Sequence, residues 1–274
     1  MTVPNSPTSH FLEVNGLRLH HLDWGRGGIT PIVLLHGIRL HAHCWNDFSR
    51  RFRSAYHVLA LDARGHGDSD WSGAVDYHLH SYYEDLRAVM DAQELPPAIL
   101  IGHSLGARTC MLYAHLHPER VQKLVLVDMG AGLPRPIGAK DFSRITETPP
   151  PQDFGSPEEA ADYLGAILKQ APRDMIEESV RQGMRQRADG RYLWKYDPSL
   201  GGPPQPMPGK REWDLWEAVK TIKCPTLLLR GEHSKVVTEE IARRMAAEMA
   251  DCRLGRIDNA GHALFTEQPS AFAD

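Results

Sequence analysis

Cysteine is scarce in this chain. Its 274 residues hold four, Cys44, Cys110, Cys224 and Cys252, with no C-x-x-C pair and no spacing that suits a metal. That excludes a zinc ribbon, a dithiol redox centre and a disulfide-stapled scaffold, and leaves Cys110 and Cys224 as expected buried thiols. An excess of one charge is also missing. Against 31 Lys and Arg stand 35 Asp and Glu, a net charge of −4. This balance gives no reason to expect nucleic acid or an anionic membrane as partner. No apolar run approaches the ~20 residues of a membrane span. The opening Met1-Thr-Val-Pro-Asn-Ser-Pro7 lacks a basic segment followed by an apolar one, so a cytoplasmic location is expected. There is no internal repeat, and nothing in the sequence reveals an oligomeric state.

What is present is length and rhythm. A chain of 274 residues, 42% hydrophobic, can bury its core as one large domain or as one domain with an insertion. Short aliphatic runs recur at Pro31–Leu35, Val58–Leu61, Ala98–Ile101, Val121–Val127, Pro225–Arg230 and Cys252–Ile257. Runs apolar on both faces are expected for a parallel sheet covered on both sides. Helical patterns fall between them at Trp45–Phe52, His78–Gln93, Ala107–His115 and Glu239–Met249. The alternation predicts an α/β fold, a mostly parallel central sheet with helices on both faces. Asn15-Gly16 between Phe11–Val14 and Leu17–Asp23 predicts a hairpin, preceded by a flexible tail over residues 1–10.

The rhythm breaks between 133 and 212, where Pro, Gly and charge dominate and helical patches occur at Pro157–Lys169 and Arg173–Ala188. We expect an inserted helical cap there, over the carboxyl edge of a core built from residues 11–132 and 213–274. A helix begins after Pro269 as the chain ends at Asp274, so a longer native C-terminus is expected.

Chemistry enters at Gly102-His103-Ser104-Leu105-Gly106, a G-x-S-x-G directly after an aliphatic run and before a helical pattern. The motif needs that strand–turn–helix context to expose a serine on a strained turn. The Leu105 amide, at the helix start, then faces a developing oxyanion. Serine needs a base, itself oriented by a third group. Among 15 histidines, His262 in Asn259-Ala-Gly-His262 follows the last strand, and satisfies the order serine, acid, histidine.

Taken together, His36-Gly37, Asp62-Ala-Arg-Gly-His-Gly-Asp-Ser69, Gly102–Gly106 and Ala260-Gly-His262 resemble the α/β-hydrolase superfamily over roughly residues 11–132 and 213–274. The resemblance implies a second oxyanion donor at the Ile38 amide. It also exposes a departure. Many members carry their acid at the fourth position of a G-x-x-D turn, where this chain reads Gly231-Glu-His-Ser234. Some members place it after the preceding strand, which here is Asp128. Asp128 is the favoured acid and Glu232 its rival.

The expectation is a serine-dependent hydrolase that cleaves a carboxylic ester, amide or lactone of a small molecule through an acyl-enzyme, with no cofactor and no metal. Alternatives are a carbon–carbon bond hydrolase or lyase on the same fold, and a ligand-binding protein of low turnover. Arg39, Tyr192 and Trp194 are candidate substrate contacts; the two aromatics serve equally well as anchors of the cap. The Asp62–Ser69 stretch reads as a turn held by hydrogen bonds.

Overall fold

The aliphatic runs of the sequence become one sheet in the computed structural model, which describes residues 6–132, 151–200 and 212–274. Its eight strands are β1 (Thr8–Val14), β2 (Leu17–Arg26), β3 (Pro31–Leu35), β4 (His57–Leu61), β5 (Ala98–His103), β6 (Val121–Val127), β9 (Thr226–Gly231) and β10 (Cys252–Ile257). Their order is β1-β2-β4-β3-β5-β6-β9-β10. β1, β2 and β4 pair antiparallel, and every pairing from β4 to β10 is parallel. The Asn15-Gly16 turn, with φ of 52° and 75°, sets a register that pairs Thr8 with Asp23. Residues 8–10 therefore belong to β1 and not to a flexible tail, because the hairpin supplies partners for their backbone groups.

Alternation along the strands sends side chains to two apolar layers. Val33, Leu35, Leu100, Leu124 and Leu126 pack on one face with α2 (Leu79–Ala92), α3 (Leu105–Leu116), α6 (Leu215–Val219) and α7 (Glu239–Glu248). Ile32, Leu34, Ile101 and Val127 pack on the other with α1 (Asn46–Phe52), α8 (Leu264–Glu267) and α9 (Pro269–Ala273). Cys110 and Cys224 are buried, and all four thiols are free. No helix among the described residues is long and apolar enough to cross a membrane.

Between β6 and α6, residues 151–200 build a satellite unit of α4 (Pro157–Ile167), α5 (Arg173–Gly183) and a hairpin of β7 (Met184–Gln186) and β8 (Tyr192–Trp194). Ser156 caps α4 and Pro157 opens it, the pairing a helix start favours. Phe154, Ala160, Ala161, Ile176, Val180 and Met184 form its own small core. The helix expected to reach Ala188 stops at Gly183, whose carbonyl accepts the Lys195 N–H as the chain turns into β7. Contacts tie the unit to the sheet: His41 Nε2–H donates to the Ser179 carbonyl at 3.0 Å, Asn46 and Arg50 reach Glu178, and Tyr77 donates to Asp197 at 2.5 Å. The remaining stretches of the expected cap, 133–150 and 201–211, lie outside the described residues.

The Asp62–Ser69 turn is held as the sequence suggested. Asp62 accepts from His20, from the Ala42 N–H and from the Asp68 N–H at 2.6 to 2.9 Å. Arg64 forks onto both oxygens of Asp85 at 2.6 Å and also meets Asp76. Asp85 and Arg64 are buried, so removing Asp85 takes both forked bonds from the guanidinium and leaves it the single contact with Asp76. Asp85→Ala is expected to cost about 3–5 kcal/mol of stability, read as a shift of the urea midpoint, far more than an exposed pair such as Arg243–Glu239 would.

Candidate active site

The turn between β5 and α3 is a single residue. Ser104 has φ 52° and ψ −112°, a backbone conformation that side-chain-bearing residues rarely adopt. Its neighbours explain how it is held. A Cβ at Gly102 would lie 2.4 Å from the Gly106 carbonyl oxygen, and one at Gly106 2.3 Å from the Leu35 carbonyl oxygen. Only glycine fits at either side, which is the physical content of the G-x-S-x-G spacing. Ser104 N–H donates to Val127 O at 3.1 Å, and Gly106 N–H to His36 O at 3.1 Å.

Parallel register then brings the other groups to the same edge. His103 pairs with Val127 and Val127 with Leu229, so Ser104 and Asp128 each follow directly on adjacent strand ends. Asp128 also has a positive φ, 49°, and is fully buried. His262, on the loop after β10, places Nδ1 2.7 Å from Asp128 Oδ2. With that proton donated, Nε2 is left as the ring's acceptor.

The turn after β9 supports Asp128. Ser234 donates to Asp128 Oδ2 at 2.5 Å, and the Gly231 N–H donates to Oδ1 at 3.1 Å. The serine at the position of the usual acid has become a hydrogen-bond donor to the earlier one. Glu232 points elsewhere, accepting the Asn259 N–H at 2.9 Å, a bond that lowers its pKa. The structure gives it no contact with His262.

The Ile38 and Leu105 amides have no acceptor among the described residues, as free oxyanion donors require. His36, whose ring bonds the Gly37 carbonyl and the Ala63 N–H, shapes the loop that carries Ile38. His103 is a clamp: Nε2–H donates to the His262 carbonyl at 2.9 Å, and its ring centroid lies 4.5 Å from that of His262. Glu267 completes the loop by accepting the Gly261 N–H at 2.6 Å, and burial raises its pKa. His103 carries no sequence signal for this role, because its partner is a backbone carbonyl distant in sequence.

Arg39 has φ 63° and its guanidinium lies over the Tyr196 ring at 5.8 Å. Trp194 stacks on Tyr196 and meets Phe154 edge-on, so it bridges the satellite core toward Arg39. Tyr192 pairs with Phe154 through backbone hydrogen bonds, the arrangement of an anchor. The sequence reading passed over Arg108, a half-buried cation one turn after Ser104 on α3. A cavity of about 30 Å³ borders Leu105, Gly106 and Asp62, room for about one water. One of about 300 Å³, lined by Arg18, Asp68, Trp71 and Lys195, does not include Ser104. His20, Asp62 and Asp68 gather potential metal donors within 4.8 Å, but His20 and Asp62 already bond each other.

Buried neutral histidines surround this edge. Burial lowers His41 to about 4 and His66 to about 3, and pushes His36 and His103 down as well. Unfolded, each returns toward 6.5, so below that pH the unfolded chain binds more protons. Their contribution to stability is complete above about 6.5 and declines as pH falls toward 4. The urea midpoint at pH 4.5 is therefore expected well below that at pH 7; equal midpoints would contradict the buried neutral assignment.

Comparison with known proteins places this geometry in a family. Residues 32–274 match the model of the Alpha/beta hydrolase family. An sn-1-specific diacylglycerol lipase of Mus musculus is 27% identical, covering 91% of this chain and 80% of the lipase. A 2-hydroxy-6-oxononadienedioate/2-hydroxy-6-oxononatrienedioate hydrolase of Escherichia coli (strain K12) is 28% identical over 97% of this chain and 93% of its own. The solved structure of E-2-(acetamidomethylene)succinate hydrolase superposes with a TM-score of 0.85 at 24% identity, covering 97% of this chain and 96% of that one. A strained serine after the fifth strand, a parallel sheet flanked by helices, and a family match over most of the sequence lead to one conclusion: this chain is a member of the α/β-hydrolase family.

Proposed function

We propose that this chain is a serine-dependent hydrolase that cleaves a carboxylic ester of a small molecule through an acyl-enzyme. The observation that carries the reading is the 2.7 Å contact between His262 Nδ1 and Asp128 Oδ2 at the strand edge where Ser104 is held strained. His262 Nε2 takes the Ser104 proton as the oxygen attacks the carbonyl. Asp128 holds the tautomer and stabilises the imidazolium. The Ile38 and Leu105 amides bind the oxyanion, and His262 returns the proton to the departing alcohol. Water, activated by the same imidazole, then releases the acid. Residues 151–200 act as a cap, in which Trp194 stacks on Tyr196 and Tyr196 lies under the Arg39 guanidinium.

The lipase among the relatives supports ester chemistry. The Escherichia coli relative keeps carbon–carbon bond hydrolysis as a second reading, since the same residues serve it. A panel of simple esters beside a dienoate substrate separates the two.

A fluorophosphonate probe is expected to add once per chain, and Ser104→Ala to abolish the adduct by intact mass. Labelling that survives Ser104→Ala would refute the nucleophile. Asp128→Asn should lower kcat on the order of 10⁴-fold, while Glu232→Gln stays within a few-fold of the parent. Ser234→Ala removes one hydrogen bond to a buried carboxylate, and a drop of about tenfold in turnover is expected.

A further inference from the structure

A second serine, histidine and aspartate are joined by hydrogen bonds on the far side of β3 from Ser104. Ser9 lies on β1, His20 on β2 and Asp62 just after β4, and β3 separates this group from β5. The hairpin register sets Ser9 opposite Leu22 and Phe11 opposite His20. Alternation therefore puts Ser9 and His20 on one face as diagonal neighbours. His20 Nδ1 lies 2.7 Å from Asp62 Oδ2, and His20 Nε2 lies 2.6 Å from Ser9 Oγ. An ionised carboxylate only accepts, so the ring proton sits on Nδ1, and Nε2 accepts from the Ser9 hydroxyl.

The three groups differ in exposure. The His20 and Asp62 side chains are each 1% exposed, whereas Ser9 is exposed on its strand. The Ala42 and Asp68 amides also donate to Asp62 and fix its carboxylate. His20 N–H donates to Ser69 Oγ at 2.8 Å, and the Phe11 ring lies 5.0 Å from the imidazole. Base and orienting acid are thus held rigid and dry, with the Ser9 hydroxyl as their outlet to solvent. A nucleophile within hydrogen-bond reach of a base that a third group orients is the arrangement that activates a serine. Such a constellation is defined by geometry, not by place in the chain. The chemistry at Ser104 uses none of these groups.

We infer that Ser9 is a second activated hydroxyl, a site of covalent acylation by acyl donors with a good leaving group, such as aryl esters. Ser9 Oγ bonds to the acyl carbon as its proton passes to His20 Nε2. The bond from that carbon to the aryl oxygen breaks, and the proton leaves with the phenol. Asp62 orients the imidazole and stabilises it while it is charged. The product is an alkyl ester, whose alkoxide leaves far less readily than a phenolate, so the acyl group stays on Ser9. This site is independent of the serine hydrolase reading of Ser104.

The Ser104→Ala protein, incubated with p-nitrophenyl acetate, quenched in acid and mapped by peptide mass spectrometry, tests the site. Ser9 is expected to be acetylated at least tenfold faster than Ser54, an exposed serine beyond α1. Adding Ser9→Ala should remove that adduct and leave the Ser54 rate unchanged. His20→Asn keeps a donor toward Asp62 but loses Nε2, and should bring Ser9 down to the rate of Ser54. If His20→Asn does not fold by circular dichroism, the ratio of Ser9 to Ser54 in the Ser104→Ala protein decides alone. A ratio near one, or a high ratio that a folded His20→Asn leaves unchanged, overturns the site. Fluorophosphonate labelling draws on an oxyanion hole such as the Ile38 and Leu105 amides and reads Ser104. The two serines are therefore judged by separate experiments, and either reading can fail without the other.

Discussion

The register of the parallel strands is the constraint on which the site depends. β5 and β6 end together, with His103 opposite Val127, so that Ser104 and Asp128 each leave the sheet at the next position. β9 ends alongside, which lets the Gly231 amide and the Ser234 hydroxyl reach the Asp128 carboxylate. A slip of one residue would turn each side chain to the opposite face of the sheet. Continuous aliphatic strands buried on both sides hold that register in place, with Leu100, Leu124 and Leu228 almost wholly enclosed.

Strain is placed where the register can support it. Ser104 and Asp128 both occupy positive φ, and both are followed or flanked by backbone hydrogen bonds into neighbouring strands. The bonds from Ser104 N–H to Val127 O and from Asp128 N–H to Leu229 O over-determine the two turns. Around them lies a shell of neutral histidines and of carboxylates held by several donors. Burial drives Asp62 upward, but the hydrogen bonds from His20 and the Asp68 amide outweigh it and keep the carboxyl below its usual range. The shell fixes loops, while the Ile38 and Leu105 amides have no acceptor among the described residues.

Much of this was legible before any coordinates. Val121–Val127 and Cys252–Ile257 occur as strands at the expected residues, because continuous aliphatic runs with turn residues at their ends have few other solutions. The elbow was legible because Gly102 and Gly106 answer local steric demands between segments adjacent in the chain. Errors clustered where pairing partners are distant or where local chemistry is ambiguous. Thr8–His10 looked like a tail because nothing within it shows that Leu22 and Asp23 would pair with it. The end of α5 at Gly183 depends on Lys195, which lies beyond a hairpin.

The sequence by itself determined the fold class, the elbow serine and a short list of partners for it, since each follows from periodicity or from steric rules within a few residues. It left Asp128 and Glu232 both open. Only the tertiary structure distinguished their surroundings, setting Asp128 against His262 and turning Glu232 to the Asn259 amide. It alone revealed Ser234 as a donor to Asp128. Hydrogen bonds and charge pairing join groups more than a hundred residues apart, and no local pattern records whether a polar side chain will find a partner.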